Sequence, residues 1–137
     1  MTYKLEDQVG YILRKAHQRA TAIFQSTMPD AQITPTQFTA LVRLREEGEI
    51  SQNHLGRLTA MDPATIQGVI RRLRERDLVE MRADPVDRRR RLLRLSLAGK
   101  ALIESLIPHG PVVSNRTLEP LSEAERQTLL GLLLRLT

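Results

Sequence analysis

The chain has 137 residues, of which 41% are hydrophobic and 27% charged, and its formal net charge is +5. These proportions are typical of a folded globular domain and not of a disordered chain. The absence of cysteine excludes a disulfide framework, a thiolate zinc site and a thiol redox switch, and an aromatic content of 3% is too low for the stacking surfaces that bind single-stranded nucleic acids.

The first predicted element is a long helix over residues 5–28. Its apolar residues recur at intervals of three and four, which is typical of an amphipathic helix. They are Leu5, Val9, Ile12, Leu13, Ala16, Ala20, Ile23 and Phe24. Pro29 and Asp30 end the helix.

The second predicted helix begins after Thr34. Gln37 stands three residues after Thr34, which is a capping-box pattern, and Pro35 suits the first helical position. Phe38 and its neighbours supply an apolar face, and Gly48 ends the helix.

Two further helices follow at short intervals. Ser51 caps a short helix over residues 52–59, and Asp62 followed by Pro63 begins a fourth helix that extends to about Arg76. Two short helices joined by a tight turn, the second strongly basic, have the layout of a helix-turn-helix.

The fourth helix carries the first candidate DNA-binding residues. Its apolar residues Ile66, Val69, Ile70 and Leu73 form one stripe, so the helical period turns the remaining side chains outward. The outward set is Ala64, Thr65, Gln67, Gly68, Arg71 and Arg72. Thr65 suits a phosphate or a base, Gln67 an adenine and Arg71 a guanine, whereas Arg72 suits a phosphate. The alternative is an amphipathic helix whose charges are merely solvated.

A β-hairpin is predicted next, with strands over 78–82 and 92–96 and a turn over 84–87. Its tip carries Arg88, Arg89, Arg90 and Arg91. Residues 71–94 hold ten arginines and five acids, so their excess of +5 equals the net charge of the whole chain. Such a patch indicates a polyanionic partner. Asp87 and Arg89 share a face of the hairpin and can pair, which would aim Arg89; the alternative is a flexible, merely basic loop.

The C-terminal part is helical again. A fifth helix begins near residue 98, and Pro108, Gly110 and Pro111 break or kink it before a short helical piece that reaches 116–118. Ser122 and Glu125 form a capping box for the last helix. Because that helix is apolar nearly all round, we expect a second copy of the chain to cover it.

The run from Thr34 to Gly99 resembles the MarR (multiple antibiotic resistance regulator) family. The matching pieces are ITPTQFTALVRL, SQNHLGRLTAMDPATIQGVIRRL and LVEMRADPVDRRRRLLRLSLAGKAL. The resemblance implies a mainly α fold with a small β-hairpin wing. A winged helix-turn-helix over 34–96 would be joined to dimerisation helices over 5–30 and 98–137. It further implies a homodimer that binds a palindromic duplex DNA operator through helix four and the wing, including Asp87 and Arg88–Arg90.

The sequence departs from the family pattern at two places. Asp77 stands where the family usually has glycine between helix four and the wing. Aspartate tolerates the left-handed conformation, so we expect the fold to survive. The segment Pro108–Pro111 interrupts a region where the family has a long helix, and it puts the geometry of that helix in question.

A small anionic aromatic or phenolic effector is also implied, bound between the dimerisation helices and the winged domain. Its candidate residues are Tyr11, Arg14, His17, Phe38 and Arg43. They offer cations and hydrogen-bond donors beside apolar stripes, as an anionic ligand requires. The alternative for the three helix-one residues is an ordinary position on the surface or core edge. The lack of cysteine excludes the peroxide-sensing branch of the family.

Nothing in the sequence indicates an enzyme. No nucleophile and base can be paired, no known catalytic motif occurs, and the three histidines lack the spacing of a metal site, so no cofactor is expected. No apolar run approaches the roughly 18 residues of a membrane span. We therefore expect a cytoplasmic, ligand-released repressor. The alternative is a winged-helix DNA-binding or activator protein without small-molecule control.

Overall fold

The computed structural model describes residues 1–137 and divides the chain into two compact units. The central unit comprises Met28–Pro108. The terminal unit comprises Met1–Thr27 together with His109–Thr137. The elements are α1 (Val9–Thr27), α2 (Pro35–Glu47), β1 (Ile50–Ser51), α3 (Gln52–Leu58), α4 (Pro63–Glu75), β2 (Val79–Ala83), β3 (Arg91–Leu95), α5 (Leu97–Leu106), α6 (Gly110–Thr117) and α7 (Glu123–Leu134). This arrangement confirms the predicted mainly α fold with a small β wing.

The helices of the central unit begin where the sequence predicted. The Thr34 hydroxyl accepts from the amide of Gln37 at 3.2 Å, and the Gln37 side chain accepts from the amide of Thr34, so the capping box is present. Ser51 and Asp62 cap α3 and α4. Because these caps satisfy amides that the first helical turn leaves free, they fix each helix start.

The sheet of the central unit has three strands in the order β1–β3–β2, all antiparallel. The sequence predicted only the β2–β3 hairpin, with each strand displaced by one residue. The strand that was missed, β1, has two residues and pairs Ile50 with Leu93. A two-residue strand shows no alternation of apolar and polar residues, which is why the pattern did not reveal it.

The core of the central unit lies among α2, α3, α4, α5 and the sheet. Its fully buried large side chains are Leu41, Leu44, Leu55, Leu73, Leu93, Ile103 and Leu106. The four apolar residues predicted to face inward from α4 are all buried, which confirms the stripe.

The junction between α4 and the sheet is tightly constrained. Asp77 adopts a φ of 57°, the left-handed conformation expected where the family has glycine. The Ser96 hydroxyl donates to the Asp77 carbonyl at 2.6 Å, and the Ser96 amide donates to the Leu78 carbonyl at 3.0 Å. A Cβ atom at Gly99 would lie 2.0 Å from the same Leu78 oxygen. Gly99 therefore permits α5 to approach the base of the wing.

In the terminal unit, α1 packs against α6. The Arg19 guanidinium donates to the carbonyl oxygens of Arg116 and Thr117 at 3.1 and 3.3 Å. The single helix predicted from residue 5 is instead a 3₁₀ turn over Leu5–Asp7, followed by α1 after the extended residue Gln8. None of the helices combines the length and apolarity needed to cross a membrane.

The predicted break after α5 is confirmed. A 3₁₀ turn at Ile107–His109 separates α5 from α6, and α6 is longer than the helical piece that the sequence indicated. The last helix begins at the predicted capping box, since the Ser122 hydroxyl accepts from the Glu125 amide at 3.2 Å. No residue of α7 is buried.

Candidate DNA-binding surface

Helix α4 presents the polar face that its periodicity predicted. Thr65, Gln67, Arg71 and Arg72 are exposed, and Gly68 is half-buried with no atom within 4 Å of a Cβ built on it. Because Gly68 has no side chain, the backbone at the centre of this face can come close to the edge of a base pair in the major groove.

A groove runs along this face of α4. It is bounded on one side by the first turn of α2 and on the other by the outward residues of α4. The lining residues are Thr34, Thr36, Gln37, Ala64, Thr65, Gly68, Val69, Arg71 and Arg72. The sequence did not single out Thr34 and Thr36 as surface contacts, because only the packing of α2 against α4 places them beside the recognition face.

The arginines of residues 71–94 fall into two groups. Five of the ten form ion pairs with carboxylates. The pairs are Arg76–Asp30 at 2.7 Å, Arg82–Glu49 at 2.7 Å, Arg94–Glu80 at 2.8 Å, Arg89–Asp87 at 3.3 Å and Arg90–Asp84 at 3.9 Å. The other five have no acidic partner, and they are Arg71, Arg72 and Arg74 on α4 with Arg88 and Arg91 in the wing. The uncompensated charge is therefore concentrated on α4 and the wing tip.

The wing, defined here as residues 79–95, has an ordered tip. Asp87 accepts from the amide and the Nε of Arg89 at 3.1 and 3.3 Å. Asp84 accepts from the Val86 amide at 2.8 Å, and its own amide donates to the Arg90 carbonyl at 3.0 Å. The predicted pairing of Asp87 with Arg89 is thus present. Because Arg89 remains 92% exposed, its guanidinium is held by Asp87 without being withdrawn from solvent.

A second groove lies between the wing tip and the start of α3. Its lining residues are Ser51, Gln52, Asn53, Arg89, Arg90 and Arg91. Gln52 and Asn53 were not among the predicted site residues. Two amide side chains directly after a helix cap are a recognisable signal, because they project from the first turn of a helix where phosphates are favoured.

The start of α4 carries an ionised carboxylate. Asp62 accepts from the Thr65 amide at 2.8 Å and from the Thr65 hydroxyl at 3.0 Å. These two hydrogen bonds hold the pKa of Asp62 below its ordinary value, the amide first and the hydroxyl second. The recognition helix therefore begins with a fixed negative charge beside the outward face of α4.

The predicted effector residues are distributed over both units. Tyr11, Arg14 and His17 lie on α1 of the terminal unit, where Tyr11 is half-buried and the other two are exposed. The Lys15 ammonium lies 5.6 Å from the centre of the Tyr11 ring. In the central unit, Phe38 on α2 is half-buried, and the exposed Arg43 of the same helix donates to Glu46 at 2.8 Å. Their role in ligand binding stays a prediction.

Residues 33–90 match the model of the MarR family. The chain is 44% identical over 131 residues to the transcriptional repressor NicR of Pseudomonas putida, covering 96% of this chain and 83% of NicR. The solved structure of a probable transcriptional regulator from Pseudomonas aeruginosa is similar at 50% identity and a TM-score of 0.92, covering 98% of this chain and all of that one.

A solved structure of BpsR from Bordetella bronchiseptica is also similar. It has 40% identity and a TM-score of 0.91, and the match covers 99% of this chain and 97% of BpsR. The DNA binding of BpsR is described as regulated by 6-hydroxynicotinic acid.

Proposed function

Because the chain belongs to the MarR family of transcriptional regulators, we propose that it is a homodimeric repressor that binds a palindromic duplex operator and releases it when a small aromatic acid binds. The observation that carries the DNA-binding part is the separation of the arginines into two groups. Carboxylates neutralise Arg76, Arg82 and Arg94, while Arg71, Arg72 and Arg88 are left for a polyanion.

The proposed DNA contacts follow from the chemistry of each element. Helix α4 enters the major groove, where Gln67 suits adenine and Arg71 suits guanine. The wing tip suits the narrower minor groove, whose negative potential attracts guanidinium groups such as those of Arg88 and Arg89. The remaining arginines and the two amide side chains at the start of α3 bind phosphates of the DNA backbone.

The homodimer is supported by apolar side chains that the terminal unit leaves in solvent. On the N-terminal side Leu5, Val9, Ile12 and Leu13 are 41–65% exposed, and on the C-terminal side Leu130, Leu132, Leu134 and Leu136 are 46–72% exposed. A monomeric protein rarely exposes so many large apolar residues within two segments. A second copy would bury them, and binding to successive major grooves would require its α4 to lie about 34 Å from the first, one turn of DNA away.

The effector is proposed to be a heteroaromatic carboxylate of the 6-hydroxynicotinic acid type. The support is the 40% identity to BpsR, whose DNA binding that compound is described as regulating. The five residues predicted from the sequence are proposed to contact it, with Arg14 and Arg43 supplying cations and Tyr11 and His17 supplying hydrogen-bond donors. Release requires that the ligand favour a dimer whose recognition helices are spaced wrongly for successive major grooves.

DNA binding is tested by fluorescence anisotropy with duplexes drawn from the DNA upstream of the protein's own gene, at about 50 mM salt. We expect Arg89→Ala to weaken specific binding by about 5- to 150-fold. Arg82→Ala is the matched control, because it removes the same charge from the same hairpin but from strand β2, outside the groove that Arg89 lines at the tip. Failure of the wild-type protein to bind any duplex at this salt concentration would refute the proposal.

Ligand control is tested by titrating 6-hydroxynicotinic acid into the protein–operator complex. Its carboxamide analogue, which lacks the negative charge, serves as the control ligand. We expect release by the acid alone, and we expect Arg14→Ala to bind the operator normally but to resist release. An operator complex that no aromatic acid dissociates would support the alternative of a winged-helix regulator without small-molecule control.

A further inference from the structure

The hydroxyl group of Thr65 has a fixed hydrogen-bonding role in the structure. Its oxygen lies 3.0 Å from one carboxylate oxygen of Asp62, while the other carboxylate oxygen accepts from the Thr65 amide at 2.8 Å. An ionised carboxylate has no hydrogen to give, so Thr65 must be the donor in the hydroxyl contact. A hydroxyl group carries one hydrogen, and that hydrogen is therefore already used.

What Thr65 offers to a partner is limited by this contact. Its oxygen retains acceptor capacity, and its methyl group offers an apolar contact. Phosphate oxygens only accept hydrogen bonds, so the Thr65 hydroxyl cannot bind a phosphate while Asp62 holds its hydrogen. The negative charge of Asp62 also repels a phosphate at this point. Among the groups of the major groove, the hydrogen-bond donors are the amino groups of adenine and cytosine, and the apolar group is the thymine methyl.

Thr65 is also placed where a base edge can reach it. It is exposed in the first turn of α4 and lines the same groove as Gly68 and Arg71. The N-terminal residues of a recognition helix are those that contact base edges. Asp62 forms no ion pair with an arginine, so no guanidinium competes with the Thr65 hydroxyl for its carboxylate.

We propose that Thr65 is a base-reading residue that accepts a hydrogen bond from the exocyclic amino group of adenine or cytosine, and that Asp62 is the positioning residue that imposes this polarity. The inference rests on the proposed function, since it assigns one contact within the same DNA-binding surface. The pair selects a base at one position, beside the contacts proposed for Gln67 and Arg71, and the remaining arginines provide affinity that does not depend on sequence.

The experiment selects binding sites from a random duplex library with the wild-type protein, Thr65→Val and Asp62→Asn. Valine keeps the shape and the methyl group of threonine but cannot accept. We expect it to lose the preference for adenine or cytosine at one position of each half-site, a change of about 5- to 150-fold in relative affinity. Non-specific affinity and the salt dependence of binding should not change, because no phosphate contact is removed.

Asp62→Asn gives the sharper result. Asparagine remains a good helix cap through its oxygen, and its amide nitrogen can donate to the Thr65 oxygen. The Thr65 hydrogen is then free to point outward, so the preferred base at that position should change to one that presents an acceptor, guanine or thymine. Thr39→Val, at an exposed α2 threonine that does not line the groove, controls for the substitution and should keep the wild-type preference.

Two outcomes would overturn the inference. One is Thr65→Val with unchanged base preference. The other is Thr65→Val that weakens all duplexes in the same proportion and reduces their salt dependence, as loss of a phosphate contact would. Circular dichroism of each variant checks that the fold is retained. Absence of duplex binding by the wild-type protein would instead defeat the proposed function, so the two failures are distinguishable.

Discussion

Replacement of Gly99 by alanine should destabilise the central unit. The added Cβ would lie 2.0 Å from the Leu78 carbonyl oxygen, and a tolerable contact is at least 3.0 Å, so α5 or the start of β2 must move by about 1 Å. The same oxygen accepts from the Ser96 amide at 3.0 Å, and that hydrogen bond is lost or stretched by the movement. Overpacking costs about 1–3 kcal/mol and a backbone hydrogen bond about 0.5–1.5 kcal/mol, against a gain of about 1 kcal/mol in helix propensity.

The net expectation for Gly99→Ala is a loss of about 0.5–3.5 kcal/mol in the free energy of unfolding, which lowers the Tm by roughly 2–10 °C. Urea titration and calorimetry at one protein concentration measure both quantities. Gly68→Ala is the control, because an added Cβ there would meet no side chain and no other element within 4 Å, and alanine should add about 0.5–1 kcal/mol of stability. A Gly99→Ala protein as stable as the wild type would show that the steric reasoning is wrong.

Three further predictions concern the wing, the pH dependence and the oligomeric state. Asp87→Ala should weaken operator binding roughly fivefold in an anisotropy assay although it makes the protein more positive, because Arg89 loses the acceptor that positions its guanidinium. Tighter binding would instead show that the net charge of the wing, and not the orientation of Arg89, controls the affinity. Burial raises the pKa of Asp30, but the hydrogen bonds from Arg76 and the Gln32 amide lower it by more, so the pKa in the folded protein is below the ordinary value of 3.8. The ionised Asp30 therefore stabilises the fold above a pH of about 3.8, and this stabilisation is lost as the pH falls through the lower folded pKa. In acid titrations, the stability advantage of the wild type over Asp30→Asn should vanish in that range. Leu132→Glu should give monomers in analytical ultracentrifugation, whereas Leu97→Glu, at an exposed leucine of the central unit, should not.

The helices of this protein were predictable because hydrogen bonds between residues close in the sequence fix where each helix begins. The caps at Thr34, Ser51, Asp62 and Ser122 each accept from the amide three residues later, as their sequence patterns indicated. The buried stripe of α4 and the pairing within the wing are likewise contacts between residues close in the sequence. Such contacts depend little on how distant segments are arranged.

The features that the sequence did not reveal depend on tertiary approach. Strand β1 exists only because Ile50 and Ser51 lie beside β3, some forty residues later. Arg76 is one of the ten arginines of the basic segment, but it pairs with Asp30, which precedes it by 46 residues. Thr34 and Thr36 are candidate site residues only because the fold places the first turn of α2 beside α4.

The distribution of acids decides what the arginine cluster does. In the sequence, ten arginines and five acids within residues 71–94 suggest one uniform basic patch. In the fold, Asp30 and Glu49 come from outside that segment to bind Arg76 and Arg82, and Glu80 binds Arg94 across the strands. A surface arginine held by a carboxylate contributes little to the attraction of a distant anion, since the two charges nearly cancel beyond a few ångströms. With Arg76, Arg82 and Arg94 neutralised in this way, the remaining positive charge is concentrated at α4 and the wing tip, the face proposed to read the duplex.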